Sequence, residues 1–455
     1  MATQQVMGRN LGFLVVATCV SSLGGFLFGY DNIVISGAIG YLAKAFSLDV
    51  AGIGWAAGCA LVGCLLGSAS AGWTADRIGL KKSLYICAAC FAASSVGVFF
   101  SYSLNQFVLW RILGGVGIGA ASILAPMYIA EIAPTLLRGR LVTLYQLGIV
   151  LGILAAVIVN MLIQKAGGDE WNTAVGWKWM FLAGAAPAVL FGLAIFPALE
   201  SPRWLMKVGR FEEGTEVLVK INGNTIGQAD AAAIRESLVE EEGGVSELFT
   251  TGFRRALILG VVLAGLTQTS GITPMFSFLP SIFEAAGTKT GDAFFQTVLV
   301  SMINVVFTLL ALWLVDKAGR RTLLLVGTGA QTLAFTVVGF LYYVGGHPIG
   351  ILIGVMSFAA AHAVGNGVVC WVIISEIFPT KVRGRAMSIA TTALWICAFL
   401  GNLAFPALQK GLGNHGTFWV FATMALVNVI FVMFMVPETK GHSLEQIEKI
   451  FLKKD

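Results

Sequence analysis

The sequence predicts an all-α membrane protein: twelve transmembrane helices in two pseudo-symmetric six-helix bundles, joined by a short helical cytoplasmic segment. Three observations carry that prediction. First, 57% of the 455 residues are hydrophobic and 12% are charged, with a mean hydropathy of +0.84, so the chain cannot wrap itself in a mostly polar surface. Second, it contains twelve apolar stretches, each long enough to cross about 30 Å of hydrocarbon with about 20 helical residues. Third, a ten-residue element is written twice. Glu131-Ile-Ala-Pro-Thr-Leu-Leu-Arg-Gly-Arg140 returns as Glu376-Ile-Phe-Pro-Thr-Lys-Val-Arg-Gly-Arg385, displaced by 376 − 131 = 245 residues, which is how two parallel bundles read in sequence.

The spans of the first half start near Leu11, Gly52, Leu84, Phe107, Leu141 and Trp177, and those of the second near Ala256, Phe294, Leu323, Pro348, Ala386 and Thr417. The first stretch is long and lacks a small-residue cleavage site, so it is expected to stay as a helix. Basic residues cluster in the loops after spans 2, 4, 8 and 10: Arg77, Lys81 and Lys82; Arg138 and Arg140; Lys317, Arg320 and Arg321; Lys381, Arg383 and Arg385. The opposite loops carry only Lys44, Lys165, Lys289 and Lys410. This asymmetry puts both termini in the cytoplasm and accounts for the net charge of +5 without any nucleic-acid partner.

Two further echoes support the halves. Asp76-Arg-Ile-Gly79-Leu-Lys81 is answered by Asp316-Lys-Ala-Gly319-Arg-Arg321, at 316 − 76 = 240, and Glu200-Ser-Pro by Glu438-Thr-Lys. The expected domains are a bundle over 1–200, a linker over 201–253, a second bundle over 254–440 and a tail over 441–455. In the linker, runs such as Ala231-Ala-Ala-Ile-Arg-Glu-Ser-Leu-Val-Glu240 favour short cytoplasmic helices.

Several motifs invite other chemistry and are better read as membrane packing. Gly114-Gly-Val-Gly117-Ile-Gly119 has the look of a dinucleotide loop but sits inside span 4, where small residues let helices approach and slide. The seven cysteines, including Cys87-Ala-Ala-Cys90, all fall in apolar runs and read as buried small residues. No nucleophile with a base and no metal cluster is apparent, so neither a cofactor nor a metal is expected and an enzyme is disfavoured.

Asp31 in span 1 and Arg111 in span 4 are the ionisable pair that stands out inside the hydrocarbon. Each costs about 2.5–3.5 kcal/mol at a helix centre, and their depths in the outer half allow them to meet. A buried carboxylate beside a guanidinium can act as a switch, since protonation releases the arginine. The repeat does not keep these charges: their counterparts fall on Met356 and near Pro274.

Taken together, Gly29-Tyr-Asp31, Arg111-Ile-Leu-Gly-Gly, Pro126-Met-Tyr-Ile-Ala-Glu131, Glu200-Ser-Pro-Arg-Trp-Leu205, Asp316 to Arg321, Ser375-Glu-Ile-Phe-Pro379 and Pro437-Glu-Thr-Lys-Gly441 resemble the sugar porters of the major facilitator superfamily over nearly the whole chain. The resemblance implies a transporter in the cell membrane, acting as a monomer on a small sugar. It also implies a cytoplasmic gate of charged residues: Asp76, Arg77, Glu131, Arg138, Arg140, Glu200, Arg203, Asp316, Arg320, Arg321, Glu376, Arg383, Arg385 and Glu438. Proton-coupled members carry Asp at the position of Asp31, whereas similar facilitative carriers are neutral there. Proton symport through Asp31, tuned by Arg111, is therefore expected. Some proton-coupled relatives place a second carboxylate in span 6, where this chain reads Phe181-Leu-Ala-Gly184.

A sugar needs amides for its hydroxyls and an aromatic face for its C–H surface. Gln268, Asn304 and Trp395 reach the midplane by residue count, at 1.5 Å per residue, and the resemblance adds Phe28, Gln146 and Trp371. Where relatives read Gln-Gln-x-Ser-Gly-x-Asn in span 7, this chain reads Thr267-Gln268-Thr-Ser270-Gly271-Ile-Thr273, exchanging two amides for hydroxyls. Leu394 stands where many relatives have an amide, and Ala363 where some have an acid; neighbouring His362 is expected to be packed. The expected function is proton-coupled import of a hexose or pentose. A facilitative sugar or polyol carrier is the alternative, and a sugar sensor a more distant one, because only 18 residues follow Pro437 and sensors of the family add long tails.

Overall fold

A computed structural model of the chain describes residues 11–132, 138–240, 251–378 and 383–440. The first half contains α1 (Leu11–Ile33), α2 (Ile35–Ala45), α3 (Val50–Ile78), α4 (Leu80–Phe99), α5 (Leu104–Ile132), α6 (Arg138–Ala166) and α7 (Asp169–Ile195). Short helices α8 (Pro202–Lys207), α9 (Phe211–Asn222) and α10 (Asn224–Glu240) follow. The second half contains α11 (Thr251–Thr269), α12 (Ile272–Ser277), α13 (Leu279–Ala285), α14 (Thr290–Ala318), α15 (Arg320–Tyr343), α16 (Pro348–His362), α17 (Val368–Ile377) and α18 (Arg383–Met435).

Eleven of these segments are long and apolar enough to cross a membrane, and α18 supplies the twelfth crossing. Its 53 residues would measure about 80 Å as one straight helix, far more than a bilayer. The chain turns at Gly413, where φ is 69°. The protein is therefore an integral membrane protein with the expected number of spans. The first described helix of the second half opens at Thr251, and the tail over 441–455 lies outside the described residues.

Local sequence explains many of the ends. Asp49 caps α3, its Oδ1 accepting from Gly52 N at 2.7 Å, and Ser201 caps α8 with Pro202 at the first position, where proline's missing N–H costs nothing. In the first half, glycines bring helix backbones together. A Cβ on Gly25 or Gly29 of α1 would stand 2.2 or 2.0 Å from the Tyr145 or Ile149 carbonyl of α6, and Gly148 and Gly152 answer from α6. Gly63 and Gly67 of α3 meet Gly115 and Gly119 of α5 in the same way, so the glycine run in α5 is a helix-crossing surface.

The two halves meet tightly at the end away from the arginine-rich loops. Asn402 of α18 donates to the Ala57 carbonyl of α3 at 3.1 Å and to Ser277 Oγ of α12 at 3.2 Å. Trp55 and Phe399 meet edge to face at 5.9 Å, and a Cβ on Gly54 would lie 2.6 Å from the Leu403 carbonyl. These contacts seal that end across the halves.

Candidate substrate and ion-coupling site

Asp31 and Arg111 form a buried ion pair. Arg111 Nη1 donates to both carboxylate oxygens at 2.9 Å, and Nη2 donates to the Asp31 carbonyl at 3.0 Å. Their side chains are 9% and 2% exposed, so water screens the pair little, and removing either partner would leave a lone buried charge. Local packing fixes the geometry. Gly114, one turn from Arg111, leaves room for the carboxylate: a Cβ there would stand 2.4 Å from Ser94 Oγ and 3.5 Å from Asp31 Oδ2. Tyr30 donates to the Met180 carbonyl at 3.1 Å, tying α1 to α7. Phe181, in the stretch where some relatives carry a second carboxylate, instead lies against the guanidinium at 5.0 Å, replacing a charge with a cation–π contact.

One turn before Asp31 on α1, Phe28 touches Trp395 of the opposite half, with ring centroids 5.7 Å apart. Gln268 and Thr273 also come together, Thr273 Oγ1 donating to Gln268 Oε1 at 2.6 Å across the break between α11 and α12. Gln146 on α6 and Asn304 on α14 lie on two helices that pack against each other across the halves. Trp371 packs on the same core cluster as Phe28 and Trp395. Thr267 is buried, and its hydroxyl donates to the Leu263 carbonyl at 2.9 Å with Cys370 Sγ at 3.3 Å, beside Gln268 where α11 packs against α17.

A shared property marks the rest. Among the described residues, the side-chain amides of Gln146 and Asn304, the Nε2 of Gln268 and the Nε1 of Trp395 have no protein hydrogen-bond partner, although all lie in apolar spans. Each of these groups is free to bond a polar partner.

The charged ends are built as matched caps. Glu200 Oε1 accepts from Lys81 N at 3.0 Å at the start of α4, and Glu438 accepts from Arg320 N at 2.9 Å and Arg321 N at 3.1 Å at the start of α15. Both carboxylates reach over a glycine of positive φ, Gly79 at 93° and Gly319 at 90°, where an added Cβ would stand 2.6 or 2.7 Å from them. A carboxylate at a helix N-terminus is favoured by the free N–H groups and the helix dipole.

Of the ion pairs in these networks, one joins two residues of the second half and another ties the first half to α8. Arg320 Nη2 meets Glu376 Oε1 at 3.3 Å, Asp76 pairs with Lys207 at 2.8 Å, and Glu131 accepts a hydrogen bond from Ser201 Oγ, with the Arg203 charge acting on it. Arg77 lies over the Trp73 ring at 5.2 Å. The side chains of Arg138, Arg140, Asp316 and Arg383 lie outside the described residues. Sequence reasoning missed Ser201 and Lys207 as partners, and it missed the buried amides Asn160, Gln331, Asn366, Asn402 and Asn428. A census of amides inside the spans would have found the latter.

A family model described as "Sugar (and other) transporter" matches residues 16–451. The chain belongs to this sugar transporter family. Among relatives, it is 37% identical over 447 residues to the arabinose-proton symporter of Bacillus subtilis, covering 98% of this chain and 96% of the relative. It is 35% identical over 476 residues to the D-xylose-proton symporter of Escherichia coli, covering 97% and 96%. Among solved structures, the sugar transporter chain is similar to the xylose transporter XylE of E. coli in a partially occluded inward open conformation, with a TM-score of 0.86 at 34% identity over 95% of this chain and 100% of that one. The same symporter bound to 6-bromo-6-deoxy-D-glucose matches with a TM-score of 0.84, at 35% identity over 97% and 100%.

Proposed function

We propose that this sugar transporter imports a monosaccharide, a hexose or pentose, together with protons, by alternating access. The observation that carries the reading is the buried Asp31–Arg111 pair, one turn of α1 from the Phe28–Trp395 contact between the halves. When Asp31 takes a proton, the Coulombic hold of its carboxylate on Arg111 is lost and the contact between α1 and α5 is loosened, the Nη2 bond to the Asp31 carbonyl remaining. The same turn of α1 carries Phe28, so the event is felt where the halves meet around the sugar. Gln146, Gln268, Asn304 and Trp395 would bond the hydroxyls, and Phe28 with Trp371 would face the ring. Relatives named as symporters of arabinose, xylose and galactose with protons support the substrate class.

In this reading the arginine-rich end and both termini face the cytoplasm, by the excess of Lys and Arg in those loops. The protein sits as a monomer in the plasma membrane, with bundles over 1–200 and 254–440 rocking about a linker over 201–253. One proton crossing 100 mV releases about 2.3 kcal/mol, enough for roughly 40-fold accumulation of a neutral sugar. The test is radiolabelled uptake in proteoliposomes with a panel of competing sugars, with and without a pH gradient. Asp31→Asn is expected to abolish uphill accumulation while keeping sugar counterflow. Undiminished accumulation by Asp31→Asn, or by the wild type in the presence of a protonophore, would sink the coupling.

A further inference from the structure

Span 7 is interrupted at the candidate sugar site, and the interruption leaves a backbone group to be satisfied. Helix α11 ends at Thr269, Gly271 takes φ +90° and α12 starts at Ile272. Pro274, four residues after Ser270, has no N–H to offer the Ser270 carbonyl, and the left-handed Gly271 removes helical geometry in any case. In a fully buried place, an unpaired carbonyl costs about 1–3 kcal/mol.

Its donor comes from another span. Gln331 of α15 donates through Nε2 to the Ser270 carbonyl at 3.1 Å. A carbonyl only accepts, so the Gln331 amide must present its NH2 to Ser270 and its oxygen to the other side. There Asn366 donates through Nδ2 to Gln331 Oε1 at 3.2 Å, and Asn428 of α18 donates to Asn366 Oδ1 at 3.4 Å. Asn366 sits in the π-helical turn Ala363–Gly367 that leads into α17, the helix of Trp371. Ser270, Gln331, Asn366 and Asn428 are each 0–1% exposed. None of them faces a solute, so the row of amides acts on what the turn displays.

What the turn displays is the Thr273–Gln268 hydrogen bond, which spans it. We infer that Gln331 is a positioning residue for the sugar site: by closing the Ser270 carbonyl it fixes the turn that sets Gln268 and Thr273, while Asn366 and Asn428 hold its amide in the donating orientation. The first half uses a related device. Asn160 of α6 donates to the Val34 carbonyl at 3.1 Å, where α1 gives way to α2. There the side-chain amide supports the span that carries Asp31.

The inference rests on the sugar reading of Gln268, and the experiment separates the two. Counterflow KM for D-xylose, L-arabinose and D-galactose is measured with the full chain in proteoliposomes, together with thermal unfolding and the pH dependence of uptake. Gln268→Ala is expected to raise KM. Gln331→Met, which keeps the shape and loses the donor, is expected to raise KM about tenfold, the value of one buried hydrogen bond, leaving the pH profile set by Asp31 unchanged. In the Gln268→Ala background, Gln331→Met is expected to add less than about twofold, because the group it positions is gone.

An unchanged KM in Gln268→Ala, or no counterflow of any of the three sugars by the wild type, overturns the site reading and this inference with it. If Gln268→Ala weakens binding, a Gln331→Met KM within about twofold of wild type, or an undiminished effect in the double variant, overturns the positioning role alone. Should Gln331→Met fail to fold, Asn366→Leu carries the test, with about a threefold rise in KM expected from a disoriented but present donor. An unchanged KM there overturns the inference.

Discussion

At the scale of single residues, the two carboxylate caps show how side chains a hundred residues away can finish a helix. Burial alone would raise the Glu438 carboxyl, but backbone N–H groups of Lys440, Arg320, Arg321 and Thr439 together hold it below the ordinary carboxylate range. A carboxylate depressed in the folded state stabilises the fold above its unfolded value and loses that contribution as pH falls through the folded value. Glu438→Gln is therefore expected to lower the thermal unfolding midpoint at about pH 7, with the gap to wild type closing below about pH 4. Unfolding in detergent across that range checks it, and a gap constant in pH would contradict it. Sequence showed Glu200 and Glu438 as members of a repeated pattern and read them as gate charges. Their role as caps depends on the positive φ of Gly79 and Gly319 and on chain return, neither of which spacing reveals. Asp31 and Arg111 were legible because ionisable residues in apolar runs need partners. The bond from Thr267 to the Leu263 carbonyl was not legible, because a threonine in a helix can return its hydroxyl to the carbonyl four residues back or point it outward.

Among the elements, the first half is laced by glycine and the second is not laced at the corresponding crossings to the same degree. Gly115→Ala would push a Cβ to 1.9 Å from the Ala60 carbonyl, and backbone cannot yield as a side-chain tip does. A loss of about 1–3 kcal/mol is expected, read as a drop in thermal stability. Gly72→Ala on α3, with nothing within 4 Å of its Cβ, serves as the matched control and is expected to be neutral or slightly stabilising; equal losses in both would refute the close-crossing argument. Twelve spans could be counted from hydropathy alone, because crossing length is set by the bilayer. The breaks could not be placed. Gly271 and Pro274 hinted at one, yet the amides that make the break tolerable come from α15, α18 and the turn before α17, and such long-range pairing leaves no periodic trace.

For the whole molecule, the sealed end away from the arginine-rich loops implies that the sugar path is shut there. Asn402 is the polar latch of that seal, since it binds α3 of one half and α12 of the other. Asn402→Leu removes both hydrogen bonds, each worth about 0.5–1.5 kcal/mol, and is expected to shift the population toward the form open at that end. Spin labels at Asp49 and Lys410, which border one cleft between the halves, would report longer distances by electron double resonance. An unaltered distance distribution would exclude a latch role. The two-fold organisation was legible from three echoes in sequence, whereas the seal was not, because Asn402 and Ala57 share no motif.

The matched caps also impose a timetable on synthesis. Lys81 and Glu200 are 119 residues apart, and Arg320 and Glu438 are 118 apart. At about 5–20 residues per second, each helix start waits on the order of ten seconds for the carboxylate that completes it. The first half can be finished while the second is still on the ribosome. The second is completed only when Glu438 has been made, so the amides of Arg320 and Arg321 stay uncapped while the 118 residues from there to that carboxylate are added.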